Sequence, residues 1–189
     1  MLILPRETWE SAAIAMLSAA ARDNSVVIVG GSTPLPAPDG RVTNSCLVFD
    51  DHGRRIGRYD KIHLFDVSVS SSESYSESRH IAPGTEPLAV DALGLTLGIT
   101  ICYDLRFPEL YRRLAAAGAE LFTIPSAFTV PTGRAHWHTL LRARAIENLA
   151  WVVAPAQVGE HTSGRQTFGH SLISAPGGAI VAECAGGPG

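Results

Sequence analysis

Cys102 ends an apolar run in the segment GITICYDLRFPEL (98–110). Polar, charged and proline residues follow at once, so the pattern predicts a strand, a turn and then a helix. A thiol at such a turn faces the backbone N–H groups that begin the helix, and these stabilise a thiolate or an oxyanion. This is the geometry of a nucleophile elbow with cysteine in place of serine. The alternative is a buried cysteine that packs as a small hydrophobic side chain, the commoner fate of a free thiol.

Lys61 is the second residue whose type could carry chemistry. It is the only lysine among the fifteen Lys and Arg residues of the chain. Because arginine serves all other cationic roles, a lone lysine indicates a position that needs a compact ammonium with an adjustable pKa. The alternative is an ordinary exposed cation that happens to be lysine, and composition alone does not separate the two.

Helices and strands that could position these residues alternate along the chain. Apolar residues recur at helical spacing in three segments, 8–22, 106–119 and 135–150. Strands are predicted at 25–31, 44–50, 55–65, 88–104 (as two strands or one bent strand), 120–128 (as a strand followed by a loop), 151–159 and 167–183 (as a hairpin). Segments 32–41 and 66–80 are predicted to be loops, the second a long Ser-rich one. Alternating helices and strands with hairpins favour an α/β layered fold with a mixed sheet.

Composition excludes several classes of protein. The 189 residues are 46% hydrophobic and 17% charged, which suits one globular domain over 1–189. The net charge of −3 gives no sign of a nucleic-acid or membrane partner. Three scattered cysteines suit neither a disulfide framework nor a zinc cluster, so a reducing, cytoplasmic setting is expected.

Weaker motifs point to no cofactor. His136 and His138 are two apart and do not share a helix face, so no metal site is expected there. His161 and His170 are expected to be polar loop and hairpin residues. The segment Gly169–Ile173 lacks the final glycine of G-x-S-x-G, and the segment 30–40 lacks the spacing of a nucleotide-binding loop.

Four blocks in order resemble the carbon–nitrogen hydrolase (nitrilase) superfamily, in its Nit-type amidase branch. They are YDKIHLFD (59–66), GITICYDLRFPELYRRLAAAGAEL (98–121), PSAFTVPTGRAHWHTLLRARAIENLAWVVAPAQVG (125–159) and GHSLISAPGGAIVAEC (169–184). The resemblance implies a four-layer αββα sandwich with mixed sheets and a Glu–Lys–Cys catalytic set. It implies no metal or organic cofactor, a small-molecule amide substrate, and a homodimer formed through the helix at 111–118.

Residue roles follow from that resemblance. Cys102 matches the nucleophile, and Lys61 matches a lysine that stabilises the anionic intermediate and favours the thiolate. Glu77 matches a glutamate that positions the substrate or the lysine. Tyr103, whose N–H would complete the oxyanion site, and Phe128 are expected to bind substrate. Three further residues are expected to form a structural shell around the elbow: Asp104, Arg106 and Glu109. Within that shell, Arg106 is expected to bridge carboxylates and hold the turn.

This sequence departs from the family pattern at three places. The general-base glutamate of the family follows an early strand ending in Pro-Glu, ahead of the strand predicted at 25–31. Glu7, in LILPRE, is a weaker match than a glutamate upstream of Met1, so the N-terminal end of the chain is expected to be truncated. The C-terminal AECAGGPG stops where the family continues into another strand, so that end is expected to be truncated as well. His138 stands where related sequences tend to carry an acid.

Three functions remain open at this point. The first is a thiol amidase that forms a thioester on Cys102 and releases ammonia from an ω-amide of a keto acid or a deaminated-glutathione-like amide. The second is a truncated, inactive homologue that acts as a binding or scaffold protein. The third is a redox-sensing thiol protein, which nothing else in the sequence supports.

Overall fold

The computed structural model describes residues 6–68, 74–162, 164–184 and 187, with side chains from residue 12 onward. Helix α1 (Arg6–Asn24) confirms the helix predicted at 8–22. Glu7 lies in its first turn, and the Glu7 side chain lies outside the described part of the structure. No helix within the described ranges combines the length and apolarity needed to cross a membrane.

The first sheet is built around one long strand. The strands of this half are β1 (Ile28–Val29), β2 (Thr33–Pro36), β3 (Val42–Phe49), β4 (Arg55–Asp60), β5 (Asp66–Ser68), β6 (Ser74–Ser76) and β7 (Ile81–Ala82). Among the described residues, β1 and β2 pair with β3 on one side, and β4 and β7 pair with it on the other. The antiparallel β3–β4 pair confirms the predicted hairpin.

The second sheet carries the elbow. Its half of the chain contains helices α2 (Pro108–Ala116) and α3 (Val130–Asn148), and strands β8 (Leu88–Ala92), β9 (Leu95–Ile99), β10 (Leu121–Thr123), β11 (Trp151–Ala154), β12 (Val158–Glu160), β13 (Gln166–Phe168), β14 (Leu172–Ser174) and β15 (Ile180–Glu183). The described sheet has the order β15-β14-β11-β10-β9-β8. Strands β9, β10 and β11 are parallel, and the outer strands are antiparallel, so the sheet is mixed as predicted.

Apolar side chains divide the fold into four layers. Successive residues of a strand point to opposite faces, so Leu47 packs toward α1 while Cys46 faces the second sheet. The layer between the sheets also holds Tyr59 and Ile99. Helices α2 and α3 cover the far face of the second sheet over a cluster that includes Trp137. The order helix, sheet, sheet, helices confirms the αββα sandwich.

Two loop predictions were wrong. Segment 66–80 contains the paired strands β5 and β6 and a 3₁₀ helix, Glu77–Arg79, and residues 69–73 lie outside the described residues. Segment 32–41 contains β2, which pairs with β3 at an edge of the described sheet. Proline is tolerated at such an edge because it removes a donor that faces away from the ladder. Leu35 is fully buried between two exposed prolines, so the strand alternates although its prolines resemble a loop.

Candidate active site

Cys102 lies at a strained turn between a strand and a helix. Strand β9 ends at Ile99, Cys102 begins a 3₁₀ helix that runs to Arg106, and α2 begins at Pro108. The Cys102 backbone has φ of +49°, a left-handed conformation that residues other than glycine rarely adopt. Its N–H donates to the Pro125 carbonyl at 3.0 Å, which fixes the turn against the loop after β10. The predicted elbow is therefore present, with a 3₁₀ turn inserted before the helix.

Asp104 holds the elbow to the first sheet. This fully buried carboxylate accepts hydrogen bonds from the Ile101 N–H at 2.9 Å and the Tyr59 hydroxyl at 2.8 Å. It also accepts the His63 N–H at 3.1 Å, and the His63 Nδ1 lies 2.7 Å from it. Tyr59 and His63 flank Lys61 in the chain, so one carboxylate joins the lysine segment to the cysteine turn. This is the structural role predicted for Asp104.

Lys61 and Glu77 form a buried ion pair. The Lys61 side chain is 3% exposed, and its Nζ lies 2.6 Å from Glu77 Oε2. The same oxygen accepts the Phe65 N–H at 2.7 Å, and Oε1 accepts the Asn44 amide at 3.3 Å. Asn44 also accepts the Lys61 backbone N–H at 2.9 Å. These contacts fix both the ammonium and the carboxylate, because neither can move without breaking a buried polar contact.

The structure brings all five predicted site residues to one cavity. Cys102, Lys61, Glu77, Tyr103 and Phe128 line a cavity of about 880 Å³ between the two sheets and the loops that follow their strands. That volume lies within the range of small-molecule sites, on the order of 300–1,000 Å³. The cavity therefore suits a small ligand that contacts the thiol.

Arg106 belongs to the cavity wall. Its guanidinium lies 5.8 Å from the centre of the Tyr103 ring and 5.6 Å from that of Phe128, and it donates to His136 Nδ1 at 3.2 Å. We expected Arg106 to bridge carboxylates and brace the turn. That expectation was wrong because Asp104 points into the core and uses other donors.

Sequence reasoning missed Arg165. This residue lies between β12 and β13, donates from Nη2 to the Ala127 carbonyl, and stacks 5.2 Å from the Tyr75 ring centre. Its buried Nε has no hydrogen-bond partner among the described residues. Because Arg165 lines the same cavity as Cys102, it adds a third cation to the wall, after Lys61 and Arg106. Only long-range pairing of the strands brings it there, and no local sequence pattern marks it.

The surroundings of Cys102 shift its thiol toward the protonated form. Burial raises its pKa above the ordinary value, while the Lys61 charge and a backbone hydrogen bond from Ala127 oppose that rise; Glu77 raises the pKa further and Arg165 lowers it. The predicted influence of Lys61 toward the thiolate is therefore present, but burial outweighs it. A base must remove the proton before the sulfur attacks. Among the described residues of the cavity lining, Glu77 is the one carboxylate, and it is bonded to Lys61.

Comparisons with protein-family models and with curated proteins both match carbon–nitrogen hydrolases. A model of the carbon–nitrogen hydrolase family matches residues 4–188. The deaminated glutathione amidase of Synechocystis sp. is 44% identical over 169 residues, which cover 87% of this chain and 62% of the relative. That of Yersinia enterocolitica is 46% identical over 167 residues, 86% of this chain and 58% of the relative. The chain thus spans about three-fifths of the length of these relatives.

Solved structures share the fold. Saccharomyces cerevisiae Nit3, a member of branch 10 of the nitrilase superfamily, aligns with a TM-score of 0.84 and 34% identity. The alignment covers 93% of this chain and 62% of Nit3. The Caenorhabditis elegans NitFhit protein aligns with a TM-score of 0.88 and 40% identity, over 96% of this chain and 45% of NitFhit.

Proposed function

Since the chain belongs to the carbon–nitrogen hydrolase family, in the Nit-type part of the nitrilase superfamily, we propose that it hydrolyses the non-peptide C–N bond of a small linear carboxamide. The observation that carries this proposal is the fixed Lys61–Glu77 pair in the same cavity as the thiol of Cys102. An ammonium held beside a nucleophile suits a reaction whose intermediate is an oxyanion.

The first half of the reaction forms a thioester. The Cys102 sulfur attacks the amide carbon as a base takes the thiol proton, and the carbonyl electron pair moves onto oxygen. The Lys61 ammonium and the Tyr103 N–H stabilise that oxyanion. The oxyanion then collapses, the C–N bond breaks, and the nitrogen takes the proton held by the base. Ammonia leaves from a primary amide, or an amine from a substituted amide, and the acyl group stays on sulfur.

The second half releases the acid. A water molecule gives a proton to the same base and attacks the thioester carbon, again through an oxyanion beside Lys61. The C–S bond breaks, the sulfur regains its proton, and the carboxylic acid leaves. The two halves together consume one amide and one water, and produce one acid and one ammonia, or one amine in place of ammonia when the amide nitrogen is substituted.

Glu77 acts on Lys61 and is not the base in this proposal. Its two oxygens already accept hydrogen bonds from Lys61, Phe65 and Asn44, so proton transfer would break the contacts that fix the lysine. The family resemblance assigns proton transfer to another glutamate. Glu7 or a glutamate upstream of Met1 would fill that role. Glu7→Gln tests Glu7 alone: the variant abolishes turnover of the chain if Glu7 is the base and leaves turnover unchanged if it is not.

An acidic substrate fits the cavity wall. Arg106 and Arg165 supply two guanidinium groups, and the Arg165 Nε is a buried donor without a partner among the described residues. Carboxylates pair with guanidinium groups through charge-assisted hydrogen bonds. These observations favour an ω-amide of a keto acid or a deaminated-glutathione-like amide, and deaminated glutathione is the substrate in the names of the two relatives.

The oligomeric state and the cellular compartment of the protein are part of the same proposal. Residues 1–189 would form part of one carbon–nitrogen hydrolase domain in the cytoplasm, and two copies would associate through the outer face of α2, at 111–118. That face carries the exposed Arg112, which donates to Glu147 of α3 at 3.2 Å. Light scattering during gel filtration measures the mass, and a monomer would contradict this part.

A turnover assay tests the proposed activity. The purified chain is incubated with an α-ketoglutaramate-like primary amide or with deaminated glutathione, and the acid product is measured, with ammonia as a second readout for the primary amide. We expect release with the chain and none with Cys102→Ala. Failure of both amides to react, with no acyl group on Cys102 by mass spectrometry, would overturn the proposal and support the non-catalytic binding protein.

A further inference from the structure

Three possible metal ligands converge outside the cavity. His138 Nε2, His170 Nδ1 and a carboxylate oxygen of Glu183 all lie within 4.8 Å of one another. Glu183 Oε1 lies 2.9 Å from the first nitrogen and 2.7 Å from the second. The residues come from α3, from the connection between β13 and β14, and from β15, so long-range folding alone assembles them. None of the three lines the cavity that holds Cys102.

Rigid neighbours fix two of these side chains. The indole N–H of Trp137, which is fully buried, donates to the His170 carbonyl at 2.8 Å. The Phe168 ring stacks on His170 at 4.3 Å between centres and 27° between planes. The same ring lies edge-on to His138 at 6.1 Å. Residues outside the cluster thus hold the His138 and His170 rings in place. A bound ligand would therefore have to restrict the motion of these side chains only slightly.

The donor set matches a divalent transition metal. Zinc binds imidazole nitrogen and carboxylate oxygen at about 2.0–2.2 Å, which places tetrahedral ligands about 3.4 Å apart. The two separations from Glu183, 2.7 and 2.9 Å, are shorter than that value by about half an ångström, and all three ligand atoms lie within 4.8 Å of one another, so small side-chain shifts would admit the ion. Two histidines and one carboxylate leave coordination positions open to water. These side chains are 26–36% exposed, which gives an ion access from solvent.

We propose that His138, His170 and Glu183 form a three-ligand site for a divalent transition metal, with Zn²⁺ as the best fit. On binding, each neutral imidazole carries its proton on the ring nitrogen that does not coordinate, and Glu183 exchanges two hydrogen bonds for one metal bond. The metal joins the edge strand β15 to α3 and has no part in the reaction at Cys102. His138 thus finds its partners across the fold, and His136, two residues earlier, binds Arg106 instead.

Metal titration of the chain tests the site directly. Cysteine thiolates also bind zinc, so the titration is repeated with the Cys102→Ala/Cys184→Ser double variant. We expect one Zn²⁺ per chain by calorimetry in both proteins, and an increase in Tm on binding. Co²⁺ should give visible d–d bands without a thiolate-to-cobalt charge-transfer band. No binding by the double variant, or a charge-transfer band in the unmodified chain at one equivalent, would overturn the proposal.

Single variants identify the ligands. His138→Ala, His170→Ala and Glu183→Gln should each weaken Zn²⁺ binding by at least about 10-fold, since even residues behind the ligands cost that much. His136→Ala is the matched control on the same helix and should leave the affinity unchanged. Glu183→Gln keeps a hydrogen-bond acceptor, and metal-free melting curves confirm that each variant folds. Unchanged affinity in the three variants, or a loss in His136→Ala, shows that these side chains form only a hydrogen-bonded contact between β15 and α3.

Discussion

Two cysteines in the layer between the sheets differ in what surrounds their sulfur atoms. Cys46 lies on β3 among apolar side chains, and burial raises its pKa to about 12, opposed only by a backbone hydrogen bond from Gly31. Burial also raises the Cys102 pKa, but Lys61, Arg165 and the Ala127 backbone oppose it, and the thiol faces a cavity. Burial alone produces an inert thiol. Charges, an open cavity and a strained backbone distinguish a candidate nucleophile from a core residue.

Replacing each cysteine by alanine gives the largest expected contrast. Cys102→Ala should lower the rate of amide hydrolysis by at least about 10³-fold, because the group that forms the thioester is lost. Cys46→Ala should keep the rate within about twofold and lower the free energy of unfolding by about 1 kcal/mol, from a small cavity. Turnover assays and urea unfolding measure the two effects. Equal loss of activity in both variants would show that the two environments do not differ in function.

Removing the Lys61 charge tests whether that charge distinguishes Cys102 from Cys46. Lys61→Met should lower kcat/KM by about 10²-fold, because the oxyanion loses a charged partner. The Lys61 charge lowers the Cys102 pKa, so the variant should shift alkylation of Cys102 by iodoacetamide to higher pH. Lys61→Arg is the matched control, which keeps the charge and so keeps the alkylation profile near that of the unmodified chain. Alkylation of Cys46, read from its own peptide, should not change in either variant.

Glu77→Gln tests what holds the lysine. The variant keeps the side-chain shape but leaves the buried Lys61 ammonium without its counter-ion. We expect kcat to fall about 10-fold and the free energy of unfolding to fall by about 3 kcal/mol, since removing one partner strands a buried charge. A normal kcat with reduced stability would show that Glu77 is structural only.

The smallest predicted effect lies in the pH dependence of stability. The pKa of Cys46 is about 12 in the folded chain, above the roughly 8.5 of an unfolded cysteine. The stability that this pKa difference contributes is fully present below the pKa of the unfolded cysteine. It is lost as the pH rises toward the pKa of Cys46 in the folded chain. Between pH 9 and 10, the unmodified chain should therefore lose about 1 kcal/mol more than Cys46→Val. Parallel urea midpoints for the two proteins across this range would contradict the buried state of Cys46.

Local patterns predicted part of the fold and marked Cys102 and Lys61 as candidates, and the family resemblance assigned roles to them. Apolar spacing marked α1, α2 and α3, and the end of an apolar run marked the Cys102 turn. The unusual composition singled out Lys61. These features depend on residues close in the chain, and the family resemblance extended them to Glu77.

Long-range contacts account for what was missed. The prolines of β2 conceal a strand because its edge position depends on pairing with β3. The wall position of Arg165 depends on the β12–β13 hairpin lying beside the loop that contains Ala127. The meeting of His170 with Glu183 depends on the pairing of β14 with β15. No single-sequence pattern carries such information, because the partners are distant in the chain.

Identification of an acyl group on one cysteine tests the central claim most directly. The chain is mixed with an α-ketoglutaramate-like amide, quenched in acid during turnover, digested and analysed by mass spectrometry. We predict that the peptide containing Cys102 gains the mass of the acyl group, while peptides containing Cys46 and Cys184 do not. Turnover that persists in Cys102→Ala, or an acyl group on another residue with Cys102 unmodified, would contradict the assignment of Cys102 as the nucleophile.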